Sequence, residues 1–165
     1  MKYTFSTFLL SLILMLTACG GGGSSSDGGG DPTDGTTVPA NISGSYSGTW
    51  EGSGTNASGV FTCEGTFTLN ISQSGSTIVV TYSVVTSGGS GTGQCTEAFN
   101  FMGNGTYNAS NGALGILSVQ DTITAALSGT ASEQTGKITL SGTWSTTDSA
   151  SADVVASGTW TAESL

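Results

Sequence analysis

The sequence predicts an all-β fold in which antiparallel strands run up and down and close into a small, roughly eight-stranded β-barrel. Gly, Ser and Thr, which are poor residues for helix interiors, make up almost half of the 165 residues. Apolar and polar residues alternate with a period of two from Ile42 onward, which is typical of half-buried strands. Short segments rich in Gly and Ser separate these stretches. A β-sandwich of two open sheets is the alternative.

The first eighteen residues predict a signal peptide. Lys2 provides a positive start, and residues 5–16 form an apolar run that is shorter than the roughly 20 residues of a membrane-spanning helix. The run ends in Leu16-Thr17-Ala18-Cys19, which resembles the lipobox of bacterial lipoproteins. This resemblance implies that Cys19 takes a diacylglycerol on its sulfur and becomes the first residue of the mature chain. An ordinary secretory signal, in which Cys19 is incidental, is the alternative.

The lipobox resemblance also implies a location. Acyl chains on Cys19 would hold the protein firmly on a membrane of the bacterial cell envelope, since each buried CH₂ contributes about 0.8 kcal/mol. Gly20, rather than Asp, follows the cysteine. In enterobacteria-like systems this residue implies sorting to the outer membrane, so the outer membrane is the expected site.

A flexible tether is predicted between the anchor and the folded domain, over residues 19–40. It is rich in Gly, Ser and Asp and contains almost nothing that can pack in a core. Asp27, Asp31 and Asp34 lack the alternating ligand spacing and the distal Glu of a calcium loop, so a solvated linker is the better interpretation.

The β-barrel domain predicted over residues 41–165 begins with three strands. Ser74-Gly75 predicts the hairpin turn between the second strand and the third. The inward-facing positions of these strands are Ile42, Gly44, Tyr46, Gly48 and Trp50, then Phe61, Cys63, Gly65, Phe67, Leu69 and Ile71, and then Ile78, Val80, Tyr82 and Val84.

The later strands are divided by less regular segments. Ser87–Gly93 is expected to form a loop and Asn104-Gly105 a turn-like pair, whereas Gly112–Gln120 is ambiguous between a strand and a short helix. Gln134-Thr135-Gly136 and Asp148–Ser151 predict the last two turns. The inward positions of these strands are Phe99, Phe101, Tyr107, Ile123, Ala125, Leu127, Gly129, Ile138, Leu140, Gly142, Trp144, Val154, Ala156, Gly158 and Trp160.

A weak internal repeat favours the barrel over the sandwich. Ser-Gly-Thr-Trp occurs three times, ending at Trp50, Trp144 and Trp160, and places a Gly and an aromatic residue on the same face of a strand. Strongly curved sheets use such glycines, with large rings lying over the bare backbone of the adjacent strand. Gly48-Thr49-Trp50 resembles the Gly-x-Trp of the first strand in calycins, the group of lipocalins and avidins. The resemblance implies a fold and no particular ligand, because the polar ligand contacts of avidins cannot be aligned with this chain. The chain also departs from lipocalins in lacking the Arg that they pack on this Trp.

Cys63 and Cys95 are predicted to form a disulfide. They are the two cysteines that remain once Cys19 is lipidated, and an even number of cysteines in an exported protein is typical of disulfide bonding. Cys63 lies near the start of the second strand and Cys95 near the start of the fourth, and in a meander both starts lie at the same end. A reactive thiol or a metal-ligand pair is the alternative, and it lacks any His partner.

The residue inventory predicts neither catalysis nor metal or cofactor binding. The chain contains no His, which excludes the usual Ser–His and Cys–His pairs. Lys137 follows a turn, where an exposed position is expected. Glu51 and Glu64 point outward and Glu97 inward, so scattered solvated acids are favoured over a converging carboxylate pair. The net charge of −9 also argues against nucleic-acid binding.

Three functions are weighed, of which an enzyme is the least favoured and would need two carboxylates that face each other across a cleft. The other two concern the barrel itself. The barrel could present its outer face to protein or glycan partners in the envelope, or it could bind a small apolar ligand in its interior. A barrel of eight strands is just wide enough to be filled by its own side chains, which favours a packed core and hence the first function. The residues predicted to form either the core or the lining of a ligand site are Tyr46, Trp50, Phe67, Tyr82, Trp144 and Trp160.

Overall fold

The computed structural model describes residues 35–56, 58–91 and 98–165. Cys19, the signal peptide and most of the tether lie outside these residues, as do Cys95 and Glu97. Within the described ranges, no helix is long and apolar enough to cross a membrane.

Eight antiparallel strands follow one another around a closed ring, which confirms the predicted up-and-down β-barrel. Strand β8 closes the ring by pairing with β1, from Ser164 opposite Tyr46 to Val155 opposite Thr55. The strands are β1 (Gly44–Asn56), β2 (Gly59–Ser74), β3 (Thr77–Gly91), β4 (Ala98–Tyr107), β5 (Ala113–Gln120), β6 (Ile123–Gln134), β7 (Lys137–Asp148) and β8 (Ser151–Ser164).

The predicted alternation of inward and outward residues is confirmed most clearly in β2. Every second residue from Phe61 to Ile71 is buried, and the residues between them are exposed. Because successive side chains of a strand point to opposite faces, this pattern places the apolar set inside the ring and the Thr-rich set outside.

Large rings lie over inward-facing glycines, as the internal repeat predicts. The indole of Trp144 covers Gly52, and the indole of Trp50 covers Gly65. The backbones of adjacent strands also approach closely at such positions: a Cβ on Gly142 would collide with the carbonyl oxygen of Ser128. Bare backbone at these points lets the sheet curl tightly enough to close.

One end of the barrel is filled, and we call it the closed end. It contains the turns Gly75-Ser76 and Thr135-Gly136 and is crossed by the segment 35–43, in which Thr37 pairs with Glu133. The folded unit therefore begins upstream of residue 41. The side chains that are almost wholly buried at this end are Ile42, Tyr46, Leu69, Ile78, Val80, Tyr107 and Leu140.

Tyrosine hydroxyls fasten the incoming segment to the closed end. The hydroxyl of Tyr46 donates a hydrogen bond of 2.8 Å to the carbonyl oxygen of Ile42, and the hydroxyl of Tyr107 donates one to the carbonyl oxygen of Pro39. The side chain of Gln73 accepts a hydrogen bond from the backbone N–H of Ile42 at 2.8 Å. These contacts satisfy polar groups that would otherwise be buried without partners.

The opposite end, the open end, carries the turns Asp121-Thr122 and Ser149-Ala150. In an up-and-down meander every second connection lies at the same end, so the starts of β2 and β4 also lie here. This topology agrees with the prediction that the starts of the second and fourth strands share one end of the barrel.

The prediction that a loop begins at Ser87 is wrong, because residues 87–91 extend strand β3. They pair with the first residues of β2, from Gly91 opposite Phe61 to Gly88 opposite Glu64, and a bulge between Glu64 and Gly65 absorbs one extra residue. Tertiary pairing overrides the low strand propensity of a Gly-rich segment here.

The prediction that Asn104-Gly105 is turn-like is also wrong. This pair lies inside β4 and is held on both sides, with Asn104 opposite Val79 of β3 and Leu117 of β5. The real turn follows at residues 108–112, where Gly112 takes a positive φ of 74°. The ambiguous segment that follows contains no helix, because Ala113–Gln120 forms strand β5.

Candidate ligand cavity

The half of the barrel toward the open end is hollow. A cavity of about 450 Å³ lies above the filled closed end and reaches the open end of the ring. The cavity extends inward past the middle of β2, because Leu69 as well as Phe67 lines it. The aromatic residues that line this cavity are Trp50, Phe61, Phe67, Tyr82, Phe99, Phe101, Trp144 and Trp160.

The aromatic walls hold one another in defined orientations. Trp50 meets Trp144 edge to face with ring centroids 5.7 Å apart, and Tyr82 stacks on Phe101 at 5.3 Å. Phe101 in turn meets Phe99 edge to face at 4.8 Å. Such pairs each contribute about 0.5–1.5 kcal/mol beyond the area they bury, which favours these ring orientations without a ligand.

The indole N–H groups are turned into the wall and away from the cavity. Trp144 Nε1 donates to the carbonyl oxygen of Glu51 at 3.1 Å, and Trp160 Nε1 donates to the carbonyl oxygen of Thr143 at 3.1 Å. Trp50 Nε1 is buried against Gly65 and has no hydrogen-bond partner among the described residues. The rings therefore present mainly carbon to the cavity.

Burial also affects the ionisation of the tyrosine in the wall. Desolvation raises the pKa of the Tyr82 hydroxyl above its usual value, and the neighbouring Ser118 hydroxyl opposes part of the rise. Burial therefore makes ionisation of this phenol less favourable than it is in water.

The mouth of the cavity is polar and carries two carboxylates. It is formed by the β5–β6 turn, which contains Asp121, and by the end of β7, which contains Asp148. Asp148 Oδ1 accepts a hydrogen bond of 2.9 Å from the backbone N–H of Ala150, which ties the carboxylate to its own turn. An apolar interior with a polar rim is typical of small-molecule sites.

The six aromatic residues singled out from the sequence divide into two groups. Trp50, Phe67, Tyr82, Trp144 and Trp160 line the cavity, whereas Tyr46 is part of the filled closed end. The simple expectation of a barrel filled throughout is therefore wrong for the open half.

Several lining residues were not recognised from the sequence. Asp121 of the mouth was not singled out, and Ala125 and Ala156 of the wall were predicted to face inward but not to line a cavity. The topology could have indicated them. In a meander every second hairpin turn lies at the same end of the barrel, and small inward-facing residues near that end leave space between the strands.

Cys63 is 8% exposed and lies on the cavity wall near the open end. Its predicted partner Cys95 lies outside the described residues, so the disulfide stays a prediction. Cys19, the predicted lipidation site, lies outside the described residues as well.

A second, shallow groove of about 530 Å³ contains the two outward-facing acids of β1 and β2. Glu51 lies directly opposite Glu64 in the strand register, so the expectation of scattered acids is wrong for this pair. Thr159 Oγ1 lies 3.4 Å from Glu51 Oε1. The described residues contain no cluster of three or more potential metal ligands.

Comparison with models of protein families gave no match, and comparison with curated proteins gave none either.

Proposed function

We propose that this protein is a non-enzymatic lipoprotein of the bacterial cell envelope whose barrel binds a small apolar molecule in its interior. The observation that carries the proposal is the cavity of about 450 Å³, which is lined by aromatic rings and reaches the open end. Small-molecule sites range over roughly 300–1,000 Å³ and are mainly apolar with a few polar groups. The Gly48-Thr49-Trp50 resemblance to calycins agrees with this use of a barrel.

The topology suits a tethered binding protein. The segment 35–43 joins the barrel at its closed end, so the mouth lies opposite the point where the tether enters. A ligand would then enter the barrel at the end that residues 35–43 do not cross.

The binding proposal is tested with the fluorescent probe N-phenylnaphthylamine, whose emission rises in an apolar site. Ala125→Phe places a ring in the cavity wall and should lower the affinity of the full chain about tenfold or more. Ala126→Phe is the matched control, since Ala126 is the next residue of β6 and points to the outer face. Equal affinity in both variants, or no binding by the native chain, would refute the proposal.

The anchoring proposal is tested separately with Cys19→Ser. In cells supplied with a labelled fatty acid, the native chain should become labelled and appear in the outer-membrane fraction. The variant should lose both properties, because the sulfur that carries the diacylglycerol is gone. A labelled or membrane-bound Cys19→Ser chain would contradict the lipobox interpretation.

A second candidate function is the presentation of the outer face to an envelope protein or glycan. Met102, Leu117 and Val119 favour it, because they are 66%, 54% and 64% exposed on neighbouring strands β4 and β5. Exposed apolar clusters mark interaction surfaces more often than isolated residues do. In-cell photo-crosslinking from position 117, with the outward position 143 on β7 as control, tests it. A specific product from position 117 alone is expected.

A further inference from the structure

We infer that the cavity is selective by charge: it takes uncharged apolar molecules and rejects anionic ones of the same shape. This inference rests on the proposed ligand binding and adds the chemical class of the ligand. The cavity would therefore exclude carboxylate-bearing lipids such as free fatty acids, although their chains are apolar.

The interior offers no cationic side chain that could compensate a negative charge, and its buried donors without a hydrogen-bond partner among the described residues, Trp50 Nε1 and the Tyr82 hydroxyl, are both neutral. Trp144 and Trp160 direct their N–H groups to backbone carbonyl oxygens, and the Trp50 N–H is buried against Gly65. A charge moved from water into such a site loses its hydration and meets only neutral hydrogen-bond donors in return. The cost of burying an unpaired ion in an apolar environment is several kcal/mol or more.

The described part of the chain offers no cation near the cavity. The sequence contains Lys2 and Lys137 and no Arg or His. Lys137 is the one cation in the described part of the chain, and its Nζ forms an ion pair with Glu163 Oε2. Lys137 begins β7 at the closed end, whereas the mouth lies at the open end. An anionic ligand would therefore find no counter-charge in the cavity.

Carboxylates at the mouth of the cavity would also repel an anionic ligand. Asp121 and Asp148 are both on its rim, so an anion would pass two carboxylates on entry. The chain as a whole also carries a net charge of −9. Charges at a rim are screened over about 8 Å at physiological ionic strength, so their effect is largest at low salt.

A matched pair of probes tests the inference on the full chain. N-Phenylnaphthylamine is uncharged, and anilinonaphthalene sulfonate has the same ring system with one sulfonate added. We expect the uncharged probe to bind at least about tenfold more tightly than the sulfonate. Ala125→Phe should abolish the difference by removing the site, which separates cavity binding from adsorption elsewhere.

The contribution of the rim is tested with the double variant Asp121→Asn, Asp148→Asn. Asn tolerates the positive φ of 52° at position 121, and at position 148 it keeps the oxygen that accepts from Ala150. The variant should bind the sulfonate about threefold more tightly at low salt while its affinity for the uncharged probe is unchanged. Glu133→Gln, which removes one charge at the closed end, is the control and should change neither affinity.

The possible failures are distinguishable. If the native chain binds neither probe, or if Ala125→Phe leaves the binding of the uncharged probe intact, the proposed function fails. If the native chain binds both probes equally well at the site blocked by Ala125→Phe, ligand binding stands and the charge selectivity is overturned. If the double variant and Glu133→Gln respond alike, the role given to the rim carboxylates is overturned.

Discussion

At the scale of single residues, tyrosines hold the closed end together. Tyr46 and Tyr107 are almost fully buried. The Tyr46 hydroxyl donates a hydrogen bond to the carbonyl oxygen of Ile42, and the Tyr107 hydroxyl donates one to the carbonyl oxygen of Pro39. The alternation of residues predicted that both tyrosines face inward. It could not predict their hydrogen bonds, because the acceptors belong to a segment that the sequence pattern assigned in part to the tether.

The ionisation of Tyr46 gives a prediction about alkaline pH. Desolvation, followed by the charge on Tyr107, raises the pKa of Tyr46 from 10.0 to about 12. The folded state therefore keeps a proton that the unfolded chain loses, so the free energy of unfolding should be unaffected below about pH 10 and fall from there to about pH 12. Urea unfolding at a series of pH values measures this fall.

Tyr46→Phe is the variant that assigns the effect. It removes the hydrogen bond to Ile42 and should cost about 1 kcal/mol at neutral pH. It should also make the alkaline loss smaller, since one titrating hydroxyl is gone. An alkaline loss as large as that of the native chain would show that other groups cause it.

At the scale of strands, the repeated Gly-Thr-aromatic motif explains both curvature and ring placement. A strand with a bare Gly lets the adjacent backbone approach and leaves room for a ring, as Trp144 does over Gly52. The motif was sufficient to predict a curved sheet. The segments that local turn signals predicted wrongly, Ser87–Gly91 and Asn104-Gly105, are paired with long neighbouring strands.

Gly142→Ala tests the close approach of strands. The added Cβ would collide with the Ser128 carbonyl oxygen, so β6 and β7 would have to separate. We expect a loss of about 3 kcal/mol in the free energy of unfolding. Gly115→Ala is the matched control, because a Cβ on Gly115 meets nothing within 4 Å, and it should change stability by less than about 0.5 kcal/mol. Equal effects would contradict this account of the curvature.

At the scale of the whole molecule, the barrel is filled at one end and hollow at the other. The closed end brings Ile42, Leu69 and Leu140 together with two tyrosines, whereas Ala125 and Ala156 leave space at the open end. The strand pattern alone does not distinguish these cases, because both ends obey the same alternation. The radius of the closed ring and the heights at which large and small side chains meet decide how much volume remains.

The predicted disulfide between Cys63 and Cys95 would brace the open end. Without reductant, an alkylating reagent should modify neither cysteine, and Cys63→Ser should lower the free energy of unfolding by roughly 3–4 kcal/mol on the chain-entropy model. Cys95→Ser should have the same effect, and the double variant should lose little more, because the two residues act as one bond. Alkylation of the unreduced native chain at either position would refute the bridge.

The sequence by itself determined the fold class, the strand faces and most of the turns, because these depend on local periodicity and on residues such as Gly75 and Gly136 that adopt positive φ. It did not determine the cavity, the acidic mouth or the opposition of Glu51 and Glu64. Those features depend on the register of strands far apart in the chain and on the closure of the ring. Only the tertiary structure brings such residues to one place.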